Sequence, residues 1–233
     1  MFKSFSAMIL AAGYGKRMLP LTNKIPKPLI KVNNISLLKN NIDFLYKIGC
    51  KKIVINTHYK HNLISDFIQK NYTNHNVKIS HEKNILDTAG GVKKAMKLFD
   101  DDSIVVTNCD IFWKRENEID VTSLINNFDS KEECRLLLVE KEKAHGLINK
   151  VGDFSLNNNH VKRWELRDQI LYYSGFQMIS LNILNNFTMR KFSFNDVWDL
   201  QIKKNSLYGN LMFSNLYHIG DKSGLKAAII SNT

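Results

Sequence analysis

The segment that follows the first apolar run of the chain, Leu10-Ala11-Ala12-Gly13-Tyr14-Gly15-Lys16-Arg17, joins backbone freedom to positive charge. Glycines at 13 and 15 let a backbone turn tightly and aim its N–H groups at phosphate oxygens, while Lys16 and Arg17 supply cationic side chains. Such a turn suits a polyphosphate. Met18 stands where a dinucleotide G-x-G-x-x-G would need its third glycine, and no G-K-[ST] follows at P-loop spacing, so both of those fingerprints are set aside. Downstream, Pro20-Leu21-Thr22 and Pro26-Lys27-Pro28-Leu29 add a further cation, Lys27, between two prolines.

Three other constellations could bear chemistry. Ile104-Val105-Val106-Thr107-Asn108-Cys109-Asp110 is an apolar strand ending in a carboxylate, where open α/β sheets face their ligands and where a hard cation would find an oxygen donor. Alone, such an aspartate is more often a turn residue, so the reading rests on its company. The stretch His81-Glu82 followed by Leu86-Asp87-Thr88-Ala89-Gly90-Gly91 reads either as a helix N-terminus capped by Asp87 or Thr88, or as a loop whose small residues admit a ligand. Gly152-Asp153-Phe154-Ser155-Leu156 reads as a hairpin turn with Phe154 packed inward, or as part of a binding site.

The full string, Gly13-x-Gly15-x-Arg17 with Pro20-Leu21-Thr22 and Pro26-Lys27-Pro28-Leu29, resembles the signature of the sugar-phosphate nucleotidyltransferases. The resemblance implies a Rossmann-like α/β fold, a mixed and mostly parallel central sheet flanked by helices, with an antiparallel sugar-binding extension. It implies transfer of a nucleoside monophosphate from an NTP, UTP or GTP, to a sugar 1-phosphate, giving an NDP-sugar and pyrophosphate. Mg²⁺ is the implied cofactor, with Mn²⁺ as the alternative. Carried over residue by residue, Ala11, Ala12, Gly13, Gly15, Lys16 and Arg17 match the NTP-binding loop, with Arg17 on the leaving pyrophosphate. Lys27 matches the lysine that neutralises charge around the α-phosphate. Glu82, Asp87, Thr88 and Gly90 match the loop that holds base and ribose, and Asp110 matches the metal-binding aspartate. His218, in Leu216-Tyr217-His218-Ile219-Gly220-Asp221, stands where the family has its second metal-binding aspartate, and Asp221 is a possible substitute. Leu19 replaces a second arginine common in the family.

Ala144-His145, the Gly152-Asp153-Phe154 element and Tyr173-Ser174-Gly175 resemble the sugar-binding half of N-acetylmuramate 1-phosphate uridylyltransferases and short mannose-1-phosphate guanylyltransferase-like proteins. That likeness places Asn108, Gly152, Asp153 and Gly175 at the sugar, with His145, His58, Tyr59 and Trp198 as further candidates for its pocket. The departures at His218 and Leu19 leave a second reading beside the enzyme: a binding protein of the same fold with weakened turnover.

Positioning these residues falls to one expected domain over 1–233, with an NTP-binding half, 1–115, and a sugar-phosphate-binding half, 116–233. Apolar runs alternate with helical patterns in the first half, as in a doubly wound sheet. The pattern gives strands Phe5–Ala11, Lys52–Asn56, Val77–Ser80 and Ile104–Asn108. Helices fall at Ser36–Gly49, from a serine cap to a glycine stop, near His61–Lys70 and at Gly91–Leu98. After Val121, strands Arg135–Glu140, Val161–Trp164 and Tyr172–Ser180 predict an antiparallel extension, closed by helices Val197–Lys204 and Gly224–Ile230.

Lys+Arg total 33 against 22 Asp+Glu, a net charge of +11 that favours anionic partners. Lysines are spread evenly and not interleaved with aromatics in a stripe, which argues against nucleic acid as the partner. No apolar run approaches the roughly 20 residues of a membrane span. Cys50, Cys109 and Cys134 form no C-x-x-C pair, and the chain reads as reduced and cytoplasmic. Oligomeric state is not legible.

Overall fold

A computed structural model describes residues 4–129, 131–147 and 151–231. In chain order its strands are β1 (Phe5–Leu10), β2 (Lys31–Val32), β3 (Ile35–Ser36), β4 (Cys50–Thr57), β5 (Val77–His81), β6 (Ser103–Asn108), β7 (Cys134–Glu140), β8 (Ala144–His145), β9 (Phe154–Asn157), β10 (His160–Arg163), β11 (Leu171–Ser180), β12 (Leu207–Met212) and β13 (Leu216–Tyr217). The helices are α1 (Leu37–Lys47), α2 (His61–Asn71), α3 (Asp87–Ala95), α4 (Asn117–Asn127), α5 (Phe194–Lys203) and α6 (Lys222–Ile230).

Nine strands form one sheet in the order β5-β4-β1-β6-β11-β7-β12-β10-β9. From β5 to β6 all pairings are parallel, then β11 runs antiparallel to both β6 and β7, and β12 pairs parallel with β7. Strand β1 lies between β4 and β6, so its chain exit and that of β6 flank a crevice at the switch point of the parallel half.

Side chains of β1 alternate between two cores: Phe5, Ala7 and Ile9 face one, and Met8 faces the other. Burial on both faces is what a continuous apolar strand requires. Helices α1, α2, α4 and α6 cover the first face, and α3 and α5 cover the second. The Ser36 hydroxyl accepts from the Lys39 amide, and Gly49 takes a φ of 96° just past the end of α1, the cap and stop read from the sequence.

Helix α4 departs from the sequence pattern. Val121, Leu124 and Ile125 pack it into the core, and its first turn carries Asn117 and Asp120, both buried and tied to a distant loop: Asn117 Nδ2 donates to the Asn215 carbonyl, and Asp120 accepts from the Phe213 and Ser214 amides. Strand β12 was also hidden, because Gly209-Asn210 has the composition of a turn. A Cβ at Gly209 would come within 2.7 Å of Val161 Cγ2, so the glycine is set by close strand packing. The hairpin turn itself lies at Asn158-Asn159, with φ of 48° and 66°, and not at Gly152-Asp153; Phe154 opens β9 and is fully buried.

Candidate active site

The main cleft, about 560 Å³, opens at the carboxyl ends of β1, β4 and β6. The Ala11 amide leaving β1 donates to Asn56 Oδ1 at 2.8 Å, which fixes the start of the glycine turn. Gly15 takes φ 65°, and a Cβ there would lie 2.9 Å from Thr22 Cγ2 and 3.0 Å from Lys27 Cβ, so only glycine brings the turn this close to Lys27. Thr22 Oγ1 donates to the Gly15 carbonyl, and Met18, fully buried, anchors the turn while Lys16 and Arg17 remain exposed in the cleft wall. Ala11, Ala12 and Gly13 line the same wall. Leu19 is 46% exposed and outside it.

Across the cleft, Lys27 Nζ lies 2.7 Å from Asp110 Oδ2, and His218 Nε2 lies 3.4 Å from the same oxygen. Burial would raise the Asp110 pKa, but the Lys27 and His218 charges outweigh it and hold the carboxyl well below its usual range. Cys109, next to it, is pushed up, chiefly by burial and then by the Asp110 charge, so it offers no thiolate nucleophile. The His218 ring is fixed by its surroundings: Nδ1 lies 3.5 Å from the Gly146 carbonyl, and a Cβ on Gly220 would strike the ring at 2.3 Å. Asp221 turns away to cap α6, accepting from the Gly224 amide, which together with Arg17 holds its pKa down. Asp110 and His218 are the side chains here that could hold a divalent cation; among the described residues no group of three metal-ligating side chains occurs, so the other ligands of such an ion would have to be phosphates and water.

Glu82 lines the cleft but is 1% exposed, with Oε1 accepting from Asn56 Nδ2 and Oε2 from the Leu86 amide. Neither Asp87 nor Thr88 makes the helix-capping bond. Asp87, at φ 65°, accepts from the adjacent Thr88 amide, and the Thr88 hydroxyl accepts from the Phe194 amide. Both residues line the cleft. Gly90 does not: a Cβ there would meet the Arg190 carbonyl at 2.5 Å, so its small size admits the 190–192 segment. That segment brings Lys191 into the cleft wall.

A second cavity of about 240 Å³ shares Asp87, Thr88 and Asn108 with the first. Asp153, Arg163, Tyr173, Gly175, Trp198 and His218 are among its lining residues. Gly175, at φ 87°, lies against Ile111, where a Cβ would approach Cγ1 to 2.8 Å. Gly152 is outside the cavity, packed under the Trp164 ring. His145 is outside too, stacked on Tyr217 with Nε2 3.1 Å from Asn215 Oδ1. His58 and Tyr59 sit beside the glycine turn instead, with Tyr59 OH donating to the Thr22 carbonyl. Sequence reasoning missed Asn56, Lys191, Arg163 and, as a side chain, Tyr14. Asn56 is an interior strand residue, and Lys191 and Arg163 lie among many surface cations, so nothing local singled them out.

Residues 6–163 match the model of the nucleotidyl transferase family. Over 199 residues, covering 85% of this chain and 86% of the relative, the sequence is 28% identical to the D-glycero-alpha-D-manno-heptose 1-phosphate guanylyltransferase of Campylobacter jejuni. Over 229 residues, 95% of this chain and 94% of the relative, it is 27% identical to the N-acetylmuramate alpha-1-phosphate uridylyltransferase of Caulobacter vibrioides. HddC from Yersinia pseudotuberculosis, solved with GMP-PN, superposes with a TM-score of 0.79 at 22% identity, covering 98% of this chain and 100% of that one. UDP-glucose pyrophosphorylase complexed with UDP-glucose gives a TM-score of 0.79 at 17% identity, covering 100% and 98%. With the glycine turn, Lys27 and Asp110 gathered on one cleft and the family model matched over residues 6–163, the chain belongs to the nucleotidyl transferase family.

Proposed function

We propose that this protein is a sugar-1-phosphate nucleotidylyltransferase, taking a nucleoside monophosphate from UTP or GTP and releasing pyrophosphate. The observation that carries the reading is the pair of joined cavities: a cation-lined cleft for the triphosphate meets a smaller pocket across Asp87, Thr88 and Asn108. A phosphate oxygen of the sugar 1-phosphate attacks the α-phosphorus, a new P–O bond forms, and the bond to the β,γ-pyrophosphate breaks. The nucleophile is already an anion, so no proton has to be removed. What the site must do is hold the two substrates in line and offset their charge.

Lys16, Arg17 and Lys191 line the triphosphate side, and Lys27 stands beside Asp110 at the reacting phosphate. Preplaced cations of this kind stabilise charge that builds up in the transition state. Asp110, with His218 beside it, would hold the divalent metal, Mg²⁺ or Mn²⁺, whose chemistry is to neutralise phosphate charge. Glu82 is buried with one oxygen bonded to Asn56 and the other to the Leu86 amide, so it shapes the base loop, and both UTP and GTP are retained as donors. On the sugar side, Asp153, Arg163, Tyr173 and Trp198 offer the mixture of charged and aromatic groups that grips a carbohydrate.

The test is pyrophosphate release with UTP and GTP against N-acetylmuramate, mannose and heptose 1-phosphates, with Mg²⁺ and with Mn²⁺. Release with at least one pair is expected. No release with any pair, alongside intact NTP binding, would leave a binding protein and overturn the enzymatic reading.

A further inference from the structure

The tip of the phosphate-binding turn, Gly13-Tyr14-Gly15, has only one side chain with which to hold itself, that of Tyr14. Two glycines in three residues raise the conformational entropy lost when the segment orders. A Cβ at Gly13 would meet nothing within 4 Å, so packing does not confine the tip there. Tyr14 lines the cleft and is 45% exposed, too open for core burial to fix it. Yet its hydroxyl lies 3.2 Å from His58 Nε2, and the two rings meet edge to face with centroids 5.4 Å apart.

The direction of that bond follows from the other end of the imidazole. His58 Nδ1 lies 2.8 Å from the backbone carbonyl of Glu82, which can only accept. Nδ1 therefore carries the proton, and in the neutral ring Nε2 is left to accept from the Tyr14 hydroxyl. The result is a chain of bonds from the glycine turn, through His58, to the backbone of the base loop. It runs parallel to a buried link, in which Asn56 binds the Ala11 amide and the Glu82 carboxylate. Asn56 secures the root of the turn, and Tyr14 with His58 secures its tip.

We propose that Tyr14 and His58 are positioning residues for the NTP: their bond holds the glycine turn in its phosphate-receiving shape before the nucleotide arrives. The inference rests on the nucleotide-binding role given to the turn above. Preorganisation of this kind appears as affinity, because the ordering entropy is spent in folding instead of in binding.

The test compares wild type with Tyr14→Phe, His58→Phe and the double variant. Binding of a non-hydrolysable UTP or GTP analogue should weaken about fivefold in Tyr14→Phe, the worth of one ordinary hydrogen bond. The double variant should be no weaker than His58→Phe, since both changes cut the same link. In turnover the loss should fall on KM for the NTP and not on kcat, with KM for the sugar 1-phosphate unchanged. Hydrogen exchange at the Met18 and Leu19 amides, which close the turn onto the Gly15 and Lys16 carbonyls, read without ligand, should quicken in both single variants while the melting temperature holds. Unchanged exchange and unchanged affinity in Tyr14→Phe, or losses that add in the double variant, would overturn the proposal. Quickened exchange in a protein whose wild type binds no NTP would overturn the nucleotide role itself, so the two failures are told apart.

Discussion

The two halves of the site are built in opposite ways. On the nucleotide side, the glycine turn and Asp110 each sit within a few residues of a parallel strand's carboxyl end, the sheet order brings those ends together, and the connection from β1 to β2 carries Lys27 back to Asp110. On the sugar side, the lining comes from scattered places: Asp153 before β9, Arg163 at the end of β10, Tyr173 within β11, Asn195 and Trp198 on α5. One half concentrates its chemistry in short strings, and the other distributes it over strands of an antiparallel extension. The lesson is that a phosphate site needs backbone geometry, which a few adjacent residues dictate, whereas a sugar pocket needs surfaces, which only a folded sheet supplies.

If that contrast is real, changes on the two sides should separate cleanly. The largest effect is expected at the junction. Lys27→Ala removes the cation beside Asp110 and should lower pyrophosphate release by about 10²- to 10³-fold. Lys27→Arg should not restore it, because the largely enclosed Lys27 ammonium meets Asp110 Oδ2 as a compact point charge at 2.7 Å, which a longer, planar guanidinium fork does not reproduce.

Next is the extension's own framework. Asp120→Ala removes the buried carboxylate that accepts from the Phe213 and Ser214 amides, and chemical denaturation should show a loss of about 2 kcal/mol with the NTP affinity kept. Loss of NTP affinity along with stability would break the separation between the halves.

Arg163→Ala should sharpen the contrast. It gives up the pairing with Asp199, the bond to Asn195 and the stacking over Phe154 at the pocket wall. KM for the sugar 1-phosphate should rise about tenfold with KM for the NTP unmoved, as for a group that contributes binding on one side only. Steady-state kinetics with each substrate varied in turn decides it. The smallest change is Ser36→Ala, which removes the cap of α1 and should cost about 1 kcal/mol in thermal unfolding while leaving both KM values alone.

Much of this was legible before any coordinates. Ser36 and Gly49 bracket α1 because a hydroxyl cap and a left-handed glycine are local requirements, and the apolar runs of β1, β4 and β6 announce strands buried on both faces. The first turn of α4 and strand β12 stayed hidden for the converse reason. Asn117 and Asp120 find their partners some ninety residues away, and Gly209 is selected by contact with Val161 on another strand. Glycines 90 and 152 are set by distant contacts in the same way: a Cβ at either would strike the Arg190 carbonyl or the Trp164 ring.

By itself, then, the sequence picked out the glycine turn, the cations beside it and the carboxylate just past β6 that the structure gathers on one cleft, because residue type and spacing over a few positions mark them. Only the tertiary structure decided that Glu82 is occupied by Asn56 and Leu86, that Lys191 reaches the cleft, and that Tyr14 is tied through His58 to the base loop. Hydrogen bonds between distant segments are satisfied one partner at a time, and no local pattern records which partner that will be.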